Sequence, residues 1–133
     1  MRFVPVPLFL LLTLAALTGC GGSTPGDASD VARTYTVRAQ VVTLPADNNG
    51  ELRVAHEAID DFVAANGEVV GMDAMTMSFP LAADVEIGGL ASGDVVAFDL
   101  LVDWAAEPLA RIIGLERLPP GTDLVFGAAR PPT

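Results

Sequence analysis

Apolar and polar residues alternate through most of the chain. Tyr35, Val37, Ala39 and Val41 are separated by Thr36, Arg38 and Gln40. Side chains two apart share one face of a strand, so this period predicts a strand with one buried face. The pattern returns at Leu52, Val54 and His56, interleaved with Glu51, Arg53 and Ala55. It returns again at Met75, Met77, Phe79 and Leu81 around Thr76 and Ser78, and at Val96, Phe98, Leu100 and Val102 around Ala97, Asp99 and Leu101. A last, mostly apolar strand is expected over 108–118, centred on Ile112-Ile113. Turn-forming residues at 45–50 and 88–94 punctuate the pattern, and no convincing helical stripe appears. Five short strands with turn-rich connections predict an all-β fold, a small five-stranded antiparallel barrel of OB type.

The phase of the strands also places the chemistry. His56 continues the inward face of Leu52 and Val54, and Met75 and Met77 share the inward face of Phe79 and Leu81. If these two strands pair as antiparallel neighbours, the end of the first meets the start of the second. His56 and both methionines then converge at one half-exposed mouth of the barrel. After the initiator, every methionine falls between 72 and 77, namely Met72, Met75 and Met77, and His56 is the only histidine. Thioethers and imidazole form a soft, uncharged donor set that suits Cu(I) or Ag(I) better than Mg, Ca or Mn. Phase alone leaves a second reading open. Methionine fills irregular gaps in cores and a lone histidine is commonly structural, so Met75 and Met77 would simply cap the core. Asp60, Asp61 and Asp73 are hard donors, unsuited to Cu(I). With no second histidine, no Cys–His pair and no serine in a nucleophile setting, the chain reads as a binding protein, not an enzyme.

The ends change where this domain is expected to work. Arg2 precedes an apolar stretch at 8–17 that is too short for a comfortable membrane span. It closes in Leu17-Thr18-Gly19-Cys20, which resembles a bacterial lipobox. The expected organisation is a lipoprotein signal peptide at 1–19, then a lipidated Cys20 with a flexible tether at 20–33. An OB-like domain follows at 34–118, and a Pro/Gly-rich tail at 119–133, loose except where Leu124-Val125-Phe126 could dock back. The protein would be extracytoplasmic, in the periplasm or cell envelope, touching the membrane through its lipid anchor alone. Cys20 is the only cysteine, so a soft-metal site has no thiolate to use. Seventeen acidic residues face seven arginines and no lysine. That balance argues against nucleic acid as a partner, because phosphate contacts need basic side chains.

Three segments together resemble the CusF-like family of periplasmic copper-binding proteins: His56-Glu-Ala-Ile59, Met75-Thr-Met-Ser-Phe-Pro80 and Leu90-Ala-Ser-Gly-Asp-Val-Val-Ala-Phe98. The resemblance covers about residues 35–117. It implies a five-stranded OB-type barrel that binds Cu(I) or Ag(I) through His56, Met75 and Met77. Well-studied members carry a tryptophan, stacked on the metal as a cation–π lid, at the position that Met72 holds here. A thioether there would coordinate instead, making Met72 a candidate fourth ligand. Trp104 follows the fourth strand and is expected to pack at a strand end. The connection between His56 and Met75 is longer than is usual in the family. Its extra segment, 60–70, is expected to be a short helix or a hairpin with an Asn66-Gly67 turn; it could cover the site, present a partner surface or be a neutral insertion, the last being the default reading. The implied role is a metallochaperone or sequestering module, with a heavy-metal efflux complex or a cytochrome oxidase assembly protein as receiver. The alternative is an OB-fold lipoprotein that serves as a structural or interaction module without metal.

Overall fold

The computed structural model describes residues 32–46 and 50–133. Its centre is β1 (Arg33–Thr43), which hydrogen-bonds to β2 (Glu51–His56) on one side and β4 (Val95–Val102) on the other. β3 (Met75–Pro80) extends the sheet beyond β2, and β5 (Ala110–Arg117) extends it beyond β4. All four ladders are antiparallel, and the strand order is β3-β2-β1-β4-β5. The outer strands then meet. Leu81 forms a parallel bridge with Ile112, and the Ala82 N–H donates to the Ile112 carbonyl at 2.8 Å. This closes an OB-type barrel of five strands among the described residues, as the alternation predicts.

The inward phase follows the sequence pattern on three strands. Tyr35, Val37, Ala39 and Val41 of β1 are buried, as are Leu52, Val54 and His56 of β2 and Val96, Phe98, Leu100 and Val102 of β4. Phe98, Leu52, Leu100 and Ile112 are the largest apolar side chains fully withdrawn from water. Burial of each contributes about 1.5–3 kcal/mol. Phe79 joins them from β3, with its ring 5.9 Å from that of Phe98. β5 departs from strict alternation because a bulge interrupts its pairing. Asp99 faces Gly114, but the next residue, Leu100, faces Ile112. Ile112 is therefore buried and Ile113 turned out. Gly114 suits the bulge, since a Cβ there would lie 3.0 Å from Asp99 Oδ2.

The 60–70 segment is a hairpin-like excursion that contributes side chains to the core. Ile59 and Met72 exchange both backbone hydrogen bonds, at 2.8 and 2.9 Å. Val63 bridges Val69, and the chain reverses through Asn66-Gly67, where Gly67 takes a φ of 84°. Ile59, Phe62 and Val63 are buried. The Val63 N–H donates to the Tyr35 hydroxyl at 3.0 Å, and Trp104 Nε1 donates to the Val63 carbonyl at 3.1 Å. Phe62 packs 5.4 Å from Tyr35 and edge-on to Trp104 at 6.3 Å. Trp104 thus packs beyond the end of β4, and its indole N–H is satisfied by the hairpin. The excursion lengthens the core past the barrel end that carries His56.

The C-terminal tail is held against the barrel through residues 125–130. The Val125, Ala129 and Arg130 N–H groups donate to carboxylate oxygens of Glu57, Asp73 and Asp60 at 2.7, 2.8 and 2.8 Å. In return, the Ala74 N–H donates to the Gly127 carbonyl at 2.9 Å. The docking expected for 124–126 therefore extends to 130, where a loose tail was expected. The signal segment, Cys20 and the tether up to residue 31 lie outside the described residues.

Candidate metal centre

β2 and β3 pair in register over their full length, and that register builds the site. His56 is the Cα partner of Met75, and Val54 is the partner of Met77. Directly opposed residues of an antiparallel pair project to the same face, with Cβ atoms about 4.5–5.5 Å apart. His56, Met75 and Met77 therefore stand together at one end of the barrel wall. Met72 belongs to the same end, because its pairing with Ile59 continues the β2–β3 ladder beyond His56 and Met75. All four sequence candidates within the described residues are gathered in one region. Among the described residues, no three His, Cys, Asp or Glu side chains are grouped to hold a metal ion.

Exposure differs sharply across the four. Met72 and Met77 are partly buried and packed on the core, whereas Met75 retains 43% of its exposure. A core cap does not call for an exposed thioether at the strand start. His56 is 0% exposed, where the sequence pattern suggested a half-open mouth. Its ring lies 6.3 Å from that of Phe79, and Ile59, Phe62 and Val63 are buried in the segment that follows it.

The imidazole is polarised by its surroundings. His56 Nδ1 lies 2.7 Å from the Glu57 carbonyl oxygen. A carbonyl only accepts, so Nδ1 carries the hydrogen, and in the neutral ring the lone pair resides on Nε2. Nε2 is buried and has no hydrogen-bond partner among the described residues. Leaving such an atom unsatisfied costs about 1–3 kcal/mol, so a buried orphan requires an explanation. A soft cation is one that fits, because it takes a lone pair and needs no further acceptor. The Nδ1 contact is also what a metal-binding imidazole uses to fix its tautomer and ring orientation.

The neighbouring carboxylates are engaged elsewhere. Glu57 takes a forked contact from Arg38, Nε to Oε2 at 2.9 Å and Nη2 to Oε1 at 2.7 Å, besides the Val125 amide. Asp60 and Asp73 each accept a tail amide. These partners favour the acidic groups as hydrogen-bond acceptors and leave a neutral thioether–imidazole set. Sequence reasoning missed these three anchors, because nothing in an isolated Asp or Glu announces a backbone amide 56 to 70 residues away.

Comparison with known proteins identifies a family. The family described as "Copper binding periplasmic protein CusF" matches residues 34–103, which is 70 of the 133 residues and includes His56, Met72, Met75 and Met77. No curated protein matches the sequence. Among solved structures, apo-CusF residues 6–88 from Escherichia coli is similar at 17% identity. That match has a TM-score of 0.49 and covers 67% of this chain and 92% of that one. A crystal structure of Ag(I)CusF is similar at 15% identity, with a TM-score of 0.45 and coverage of 65% and 99%. With the family match spanning more than half its length, the chain belongs to the CusF-like family of periplasmic copper-binding proteins.

Proposed function

We propose that this protein holds one Cu(I) or Ag(I) between His56 Nε2 and the thioethers of Met75 and Met77, with Met72 as a fourth donor. The observation that carries the reading is the buried, unpartnered Nε2 in cross-strand register with Met75. Four neutral soft donors match a soft monovalent cation, and without thiolate or carboxylate the set gives little to Zn(II). The protein acts as a metallochaperone or sequestering module, not as an enzyme. It passes its ion by ligand exchange to a heavy-metal efflux complex or a cytochrome oxidase assembly protein. Export and lipidation at Cys20 place it outside the cytoplasm on a membrane anchor, as the Leu17-Thr18-Gly19-Cys20 motif supports. The test is titration of the mature protein with Cu(I) against a competing chelator, with stoichiometry read by mass spectrometry. One Cu(I) per chain, bound more tightly than Zn(II), is expected. Tighter zinc binding would overturn the donor assignment.

A further inference from the structure

The docked C-terminal tail touches the barrel beside the proposed ligands. Its partner Glu57 directly follows His56, Asp73 directly follows Met72, and Ala74 directly precedes Met75. Asp60, the fourth partner, sits next to Ile59, the residue that pairs with Met72. Gly71 completes the contact. A Cβ at that position would lie 2.6 Å from Ala129 Cβ, and its φ of 69° independently favours glycine. The tail therefore runs as a strap across the segment that presents Met72 and Met75.

How the strap is fastened determines how it can move. Val125 and Phe126 are 71% and 53% exposed, so these apolar side chains contribute little burial. The strap is held mainly by four hydrogen bonds that use its own backbone, three of them to carboxylate oxygens. Hydrogen bonds of this kind contribute modestly once exchange with water is counted. Segments held by few apolar contacts open locally, at lower cost than the global fold. The strap can thus leave while the β1–β5 barrel, whose core it does not enter, stays folded.

We propose that residues 123–131 form a detachable strap that controls the rate at which the thioether segment releases and takes up its metal ion. Docked, the strap restrains 71–74 and keeps Met72 and Met75 in place. Undocked, it frees the methionine segment to rearrange during ligand exchange. The inference rests on the metal-binding reading above, and the experiment separates the two.

The experiment uses the mature full-length protein loaded with Ag(I) or Cu(I) and mixed with excess chelator, and follows the rate of metal loss. Three variants are compared: a chain ending at Thr122, Asp60→Ala and Asp60→Asn. The truncated chain is expected to lose metal at least tenfold faster, and Asp60→Ala a few-fold faster. Asp60→Asn keeps an acceptor oxygen for the Arg130 amide and is expected to stay near the wild-type rate. Hydrogen exchange in the metal-free proteins gives a second readout. Protection of the Ile59 and Met72 amides, which bond to each other and not to the tail, should fall in the truncated chain, while β1 and β4 amides keep theirs. Unchanged metal loss from a truncated chain that remains folded would overturn the strap. Loss of β1 and β4 protection in that chain would overturn it too, by making the tail part of the fold. A wild-type chain that binds neither ion would overturn the metal-binding reading and take the strap's role with it.

Discussion

Replacing His56 by leucine separates a ligand from a structural histidine, because the two roles predict opposite changes in the metal-free protein. The ring is 0% exposed, with Nδ1 hydrogen-bonded and Nε2 orphaned. Leucine removes the desolvated Nε2, which relieves about 1–3 kcal/mol, and forfeits the Nδ1–H bond to the Glu57 carbonyl, which costs about 0.5–1.5 kcal/mol. The side chains are of similar volume, so neither a large cavity nor serious overpacking is added. The metal-free variant is therefore expected within about 1 kcal/mol of wild type, or above it, in urea denaturation.

Metal should reverse the order. A ligand at a hundred times its Kd stabilises the native state by about 2.7 kcal/mol. For a domain of this size that is a rise in Tm on the order of 10–20 °C. Wild type should show this rise with Ag(I) in chloride-free buffer, and His56→Leu only a small part of it. The reasoning fails if the metal-free variant loses more than about 3 kcal/mol, as a satisfied buried group would on removal, and if Ag(I) raises both proteins equally.

Other consequences follow from the same geometry. Met75→Ala, at an exposed position, should cost less than about 0.5 kcal/mol of metal-free stability, whereas the partly buried Met77→Ala should cost about 1–2 kcal/mol, less than a full core truncation. Both should weaken Cu(I) at least tenfold in chelator competition; a stability loss in both with affinity unchanged would favour core capping. Met72→Ala should reduce the sulfur count in X-ray absorption of the Cu(I) form from three to two, and an unchanged count would remove Met72 from the ligand set. The Asp94 carboxyl is held below its ordinary 3.8 by the Ala91 amide and by Arg117. A depressed folded-state value stabilises above 3.8 and loses that effect as pH falls through it. Asp94→Asn should therefore be less stable than wild type at neutral pH, and the gap should close in acid, as thermal scans across pH would show.

Much of this architecture was legible because half-buried strands leave a period in the sequence. β1, β2 and β4 have one wet and one dry face, so alternation alone assigned every inward residue from Tyr35 to Val102 on those strands. It also placed His56 and the two methionines on one wall, since neighbouring antiparallel strands in register share their faces. Ile113 was not legible, because a bulge shifts the phase and its signal resides in the Asp99–Gly114 contact across the sheet. Nor was the place of Phe62 and Val63, two apolar residues in a stretch without period that only their contacts with Tyr35 and Trp104 assign to the core. The tail was least legible of all. Its attachments run from backbone amides to scattered carboxylates, and a backbone amide is the same in every residue but proline.

The burial gradient across the proposed ligands gives the site a direction. His56 is enclosed, Met77 and Met72 are packed against the core, and Met75 alone keeps substantial exposure. On the proposed ligand set, a receiving donor entering from solvent would approach the ion most directly beside Met75, so exchange is expected to begin with that thioether and end with the imidazole. The order suits the chemistry. A neutral thioether separates from a soft monovalent cation without leaving a charge behind, whereas losing the nitrogen first would strand Nε2 buried and unpaired. Glu57, Asp60 and Asp73 lie along the same end with their oxygens held by backbone amides. So arranged, they contribute negative potential to a cationic site without competing as ligands. With the proposed ligands, the site would hold its ion through the buried nitrogen and still give it up at the exposed sulfur, a combination that a uniformly buried cluster of the same four residues would not allow.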